Sequence, residues 1–177
     1  MPRIVIFTTV LCFIFSINAC TGREIEMPED FSLSFSWNTG SLPPQFRYDY
    51  VITIGPGPQG EFDYVPGYGD EGDPARWVTP FSVSAEDLQI LYAYFNGNGF
   101  LENNWDKNVR ERVGGSTTSL IIFAFGREYF VPSVGALEGT ELTRVKNAHD
   151  FIRGFVPQAI WSEMEERQAA YEASQSD

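Results

Sequence analysis

Phe31-Ser32-Leu33-Ser34-Phe35-Ser36-Trp37 alternates large apolar side chains with serine over seven positions. Side chains along a strand point to opposite faces in turn, so this run predicts a strand with Phe31, Leu33, Phe35 and Trp37 on a buried face. The serines then line the other face. Asn38-Thr39-Gly40-Ser41 reads as a turn, and Pro43-Pro44 stops any helix from starting there.

The same period continues outward. Phe46, Tyr48, Tyr50, Ile52 and Ile54 predict one face of a second strand, with Arg47, Asp49 and Thr53 on the other. Gly55-Pro56-Gly57-Pro58-Gln59-Gly60 is a turn cluster, Glu61 to Val65 a returning strand, and Trp77 to Phe81 a further short one. Between them lies a loop from Gly67 to Pro74 rich in Gly and acids. Ser84 to Phe95 reads as a helix: Ser84 is a good N-cap, Asp87 holds the capping-box position, and Leu88, Leu91, Tyr92 and Phe95 recur at helical spacing. Gly97 or Gly99 closes it. Gly114-Gly115 is a loop, Leu120 to Phe125 suits a central strand, and Gly126-Arg127 is a tight turn into Glu128 to Val131. Two helices follow, Glu141 to Phe155 and then Ala159 to Ala173, with Pro157 at the first position of the second. The expected class is α+β: an antiparallel sheet of about five to six strands, with one central helix and two C-terminal helices on one face.

Two of these segments carry a resemblance. Leu88 to Phe100 is a helix ending in Gly99-Phe100, and Leu120 to Val131 is a hairpin with Gly126 before Arg127. In this order they resemble small protease-inhibitor domains of the emfourin type, which implies an inhibitor-like role.

Upstream of the domain the chain changes character. Arg3 is followed by an apolar run from Ile4 to Ile17 and then by Asn18-Ala19-Cys20. The run is shorter than the ~20 residues of a membrane-spanning helix and has the layout of an export signal. Ile17, Ala19 and Cys20 resemble the lipobox of bacterial lipoproteins, although Asn18 is larger than the usual residue. The resemblance implies cleavage before Cys20 and acylation of that cysteine, by palmitate or similar chains. Cys12 would leave with the signal, so the mature body would hold no other thiol. The expected organisation is a signal over residues 1–19, an acidic tether over 20–30, one domain over 31–173 and a polar tail over 174–177. Lipoprotein sorting resembles a rule in which Asp after the cysteine retains the protein at the inner membrane. Thr21 stands there, which implies the outer membrane in a Gram-negative host.

The 177 residues carry 12 Lys and Arg against 24 Asp and Glu, a net charge of −12. The signal holds Arg3 and no acid, so the mature 158 residues (177 less 19) carry 11 bases against 24 acids, or −13. That balance excludes nucleic acid as the expected partner and excludes electrostatic attachment to anionic lipid. The membrane is instead expected to be engaged through the lipid on Cys20.

Candidate chemistry is sparse. Asp63, Asp70, Glu71 and Asp73 cluster around the Gly-rich loop and could supply oxygens to Ca²⁺, although their spacing is not that of an EF-hand; solvated loop acids are the plainer expectation. Tyr64, Tyr68 and Trp77 flank this loop and form a candidate binding surface, the alternative being that they pack against the sheet. His149, the one histidine, stands beside Asp150 in a predicted helix, where a surface position is expected. Zinc hydrolases use two or three His ligands, and no Gly-x-Ser-x-Gly elbow accompanies it. Gly114-Gly115-Ser116-Thr117-Thr118 lacks the lysine of a phosphate loop and leads into a strand. Glu102 and Asp106 beside Trp105 could serve as a glycosidase carboxylate pair next to an aromatic platform. No cofactor is expected. The leading expectation is a non-enzymatic, lipid-anchored envelope domain that binds a protein, peptide or glycan. The alternatives are an envelope hydrolase using Glu102, Asp106 or the Asp70 loop, and a structural lipoprotein.

Overall fold

The computed structural model describes residues 26–68, 76–102, 105 and 114–175. Six strands form one antiparallel sheet: β1 (Ser32–Asn38), β2 (Tyr48–Ile54), β3 (Gln59–Pro66), β4 (Trp77–Ser82), β5 (Thr117–Ala124) and β6 (Arg127–Val131). Three helices accompany them: α1 (Ala85–Gly97), α2 (Gly139–Arg153) and α3 (Gln158–Ser174). The α+β architecture expected from the sequence is therefore present. Spatial order is β4-β3-β2-β1-β5-β6, so the first four strands meander outward from β1. The chain then passes through α1 and returns to add β5 along the other side of β1.

The alternation that defines β1 is realised in full. Phe31, Leu33 and Phe35 are buried, and the three serines are only half-buried on the opposite face. Each apolar side chain removed from water contributes about 1.5–3 kcal/mol, and the core continues the same rows through Ile52, Phe62 and Leu120. All three helices sit on this face. Tyr92 of α1 meets Phe31 edge-on at 5.3 Å, His149 of α2 lies 4.6 Å from Phe35, and Trp161 of α3 lies 5.0 Å from Phe62.

Local signals placed several boundaries well. Ser84 caps α1 as expected: its Oγ accepts from the Asp87 amide at 3.0 Å, and its hydroxyl donates to the Asp87 carboxylate at 2.7 Å. Gly99 follows the helix at φ +73°, a left-handed geometry that glycine adopts without strain.

Other boundaries differ. Phe46 does not join β2: Pro44 opens a 3-10 turn over Pro44–Phe46, the Phe46 amide bonds the Pro43 carbonyl at 2.9 Å, and the ring is 48% exposed. The β5–β6 connection lies one residue earlier than Gly126-Arg127. Ala124 pairs with Arg127, leaving Phe125 (φ +56°) and Gly126 (φ +69°) as a two-residue turn. Both positive φ values define a type I′ geometry, whose twist matches the strands it joins. The second helix starts two residues early and ends at Arg153, with Gly154 closing its last turn. Pro157 stands at the N-cap of α3 rather than inside it.

No described helix is long and apolar enough to cross a membrane.

Candidate functional site

Strand register assembles an aromatic row that the linear sequence scatters. Trp37 pairs with Thr118 on one side and Tyr50 on the other, Tyr50 pairs with Tyr64, and Tyr64 pairs with Trp77. The row Thr118-Trp37-Tyr50-Tyr64-Trp77 thus crosses five strands on the helix-covered face. The two inner rings of the row, Tyr50 and Tyr64, are buried and both are met by α3, while the two outer rings, Trp37 and Trp77, are half-buried.

On one side of the row Tyr64 and Trp77 are engaged by α3. Tyr64 is 1% exposed and donates its hydroxyl hydrogen to Gln168 Oε1 of α3. Trp77 meets Phe62 edge-on at 5.8 Å, and the Arg167 guanidinium lies 4.6 Å above its ring. Tyr68 is exposed but tied down, with its hydroxyl on the Leu42 carbonyl at 2.7 Å and Arg47 stacked on its ring at 4.4 Å. The expected surface of Tyr64, Tyr68 and Trp77 is therefore corrected. The strand period turns Tyr64 and Trp77 inward, and Tyr68 is left alone outside.

On the other side Tyr50 is 4% exposed and Trp37 half-buried, and both line a hollow. The two rings stack at 5.3 Å with an 18° interplanar angle, Tyr48 lies 5.2 Å from Trp37, and Trp161 meets Tyr50 edge-on at 5.3 Å. A cavity of about 250 Å³ opens here, with Phe35, Trp37, Tyr50 and His149 in its walls and Lys146, Asp150 and Arg153 at its rim. A neighbouring hollow of about 450 Å³ shares Asp150 and Arg153 and adds Tyr48, Trp161 and Glu165. The two make one groove between the end of the sheet and helices α2 and α3. Arg153 is fixed at their junction: its guanidinium lies 5.0 Å over Trp161, whose indole N–H donates to the Arg153 carbonyl at 3.3 Å.

Protonation states follow from burial. Desolvation pushes the Tyr50 phenol up to about 12, against a smaller opposing effect of Arg153. Desolvation likewise raises Tyr48, so both remain protonated donors at neutral pH. His149 is not on the surface. It is 7% exposed against Phe35, and desolvation brings it down to about 4, only partly countered by Asp150. A neutral imidazole has one donor and one acceptor nitrogen. The groove therefore offers aromatic faces, protonated phenols, a neutral imidazole and a rim of mixed charge, which is chemistry suited to recognition.

The remaining candidates separate in space. Asp63 lies on the serine side of the sheet in a two-pronged pair with Arg76, at 2.9 and 2.7 Å, so its carboxylate is already engaged. Asp70, Glu71 and Asp73 fall outside the described residues, as do Asp106, Cys12 and Cys20. Among the described residues no cluster of three His, Cys, Asp or Glu side chains is placed to hold a metal ion. Trp105 is buried, with Arg144 at 4.3 Å over its ring and Phe100 at 5.6 Å, so it is not an open sugar platform beside Glu102. Gly114-Gly115 serves as a packing partner: a Cβ on Gly40 would lie 2.1 Å from the Gly115 carbonyl oxygen.

No protein-family model matches the chain, and no curated protein is similar to it in sequence.

Proposed function

We propose that this chain is a lipid-anchored domain of the bacterial envelope that binds its partner without catalysis. The groove at Trp37 and Tyr50 is the binding site, and acyl chains on Cys20 are the anchor. The observation that carries this reading is the polarity of β1. The first strand begins at Ser32, and Trp37 stands five residues further on, roughly 17 Å away at ~3.3 Å per residue. An anchor upstream of Ser32 therefore joins the domain at the end opposite the groove.

The ligand that fits is an envelope glycan. A pyranose has apolar C–H faces and hydroxyl edges, and the groove sets aromatic rings beside phenol, imidazole, carboxylate and guanidinium groups. The likeness of residues 88–100 and 120–131 to emfourin-type domains favours a protease as the competing partner. Titration of the protein with envelope oligosaccharides, peptides and a protease panel, followed by tryptophan fluorescence, distinguishes these. The expected result is a saturable change with an oligosaccharide that is lost in Trp37→Ala. Saturation by peptide or protease alone reassigns the groove, and a flat response to every class overturns the binding reading.

A further inference from the structure

We infer that the tip of the β5–β6 hairpin, with Phe125 at its apex, rests in the lipid interface beside the anchor. The inference builds on the proposed acylation of Cys20.

Phe125 is an unusual residue for its place. The first position of a type I′ turn requires φ > 0 and is the usual site of Asn, Asp or Gly, and a bulky side chain there is strained. Phe125 adopts φ +56°, yet its ring is 58% exposed, and the aromatic ring it meets is that of Tyr92, edge-on at 6.5 Å. Packing alone gives little return for that strain.

Its position supplies a reason. The Asp30 carboxylate accepts hydrogen bonds from the Phe125 amide at 3.0 Å and the Gly126 amide at 2.6 Å. Asp30 closes the stretch that begins at Cys20, so the hairpin tip is fastened to the end of the tether. The ten residue steps from Cys20 to Asp30 span at most about 36 Å. A domain of this length has a radius of gyration of about 15 Å, so a tether of this reach keeps the end of the domain to which it is joined within easy contact of the bilayer. Phe125 therefore stands at the end of the domain to which the tether is joined.

The chemistry of that end suits an apolar contact. Phe123, paired with Ser32 and half-buried, continues the apolar surface along the serine face of the hairpin, followed by Ile121 and its partner Phe130, itself 58% exposed. The neighbouring β2–β3 turn, Gly55-Pro56-Gly57-Pro58, carries no charge, and Gly55 packs on the Phe31 carbonyl. Arg127 and Glu128 next to the tip offset each other. With a net charge of −12 on the chain, the contact must be with a surface that does not repel acids, and a zwitterionic lipid face meets that condition. Membrane anchoring by acyl chains gains from a second apolar signal of this kind.

The test uses the mature lipidated chain in zwitterionic phospholipid vesicles. Cys20 is blocked by acylation, so a single environment-sensitive fluorophore can be placed on Phe125→Cys or on Ser41→Cys, which lies beyond the far end of β1. The expected result is blue-shifted emission at position 125 that brominated lipid quenches, with neither effect at position 41. A protein that floats with the vesicles but shows no quenching at 125 overturns the contact and leaves the anchor standing. A blue shift at 125 without quenching assigns the tip to a second copy or another protein. Failure to float with vesicles removes the anchor reading and this inference with it.

Discussion

The Tyr64 hydroxyl donates to Gln168 Oε1, a buried link that ties the third strand of the sheet to the C-terminal helix. Gln168 is one of two buried polar side chains among the described residues, and its amide nitrogen is also used. It donates to the Gln45 carbonyl at 3.1 Å and to Glu172 at 2.9 Å. Gln168→Leu removes this junction and leaves the Tyr64 hydroxyl without its acceptor. The expected cost is about 1–3 kcal/mol in urea unfolding. Tyr64→Phe should cost less than Gln168→Leu, and the double variant should be no worse than Gln168→Leu alone. Additive losses would show that the two side chains act independently.

His149 predicts an acid limb in stability. Its folded pKa of about 4 lies below the ordinary unfolded value of ~6.5, because burial beside Phe35 disfavours the imidazolium. The unfolded chain therefore binds the extra proton between these values. The contribution of His149 is complete above pH ~6.5 and is lost as pH falls toward 4, by roughly 2–3 kcal/mol. Denaturant titrations at pH 7 and pH 4.5 should show a smaller acid loss in His149→Gln than in the parent. Equal losses would place the acid sensitivity elsewhere.

Gly40→Ala should destabilise the turn that follows β1. Gly40 has φ +81°, and a Cβ there would meet the backbone oxygen of Gly115 at 2.1 Å. A carbonyl cannot rotate away as a side chain can, so strain and displacement add to at least about 1–2 kcal/mol. The 114–118 segment should move with it, visible as changed amide shifts at Ser116 and Thr118.

Phe125→Asn should stabilise the fold by about 0.5–1 kcal/mol, since Asn tolerates positive φ and little packing is lost. A melting temperature that falls would mean the Tyr92 edge contact outweighs the turn strain.

Cys20→Ser should release the protein from membranes into the soluble fraction. A variant that still fractionates with membranes would remove acylation as the means of attachment.

Most of the sheet was legible because its signals are local. Seven alternating residues suffice for β1, and Ser84 with Asp87 suffices for the start of α1. The groove was not legible, because it depends on register and on where a helix stops. Trp37, Tyr50, Tyr64 and Trp77 are scattered in sequence, and only strand register brings them into one row whose inner two rings are buried and outer two half-buried. His149 did leave a trace: Val145, His149 and Ile152 are spaced four and three apart, on one stripe of α2, and all three are buried. Reading His as polar by default hid that stripe.

The central place of β1 also sets the order in which this chain can finish folding. Its first neighbour, β2, is a short loop away, but its second is distant: Asn38 meets Thr117 across 79 residues. Closing a loop of that length is entropically slow and must precede the contacts that reward it. A chain emerging N-terminus first thus holds one edge of its innermost strand open until its last third has arrived.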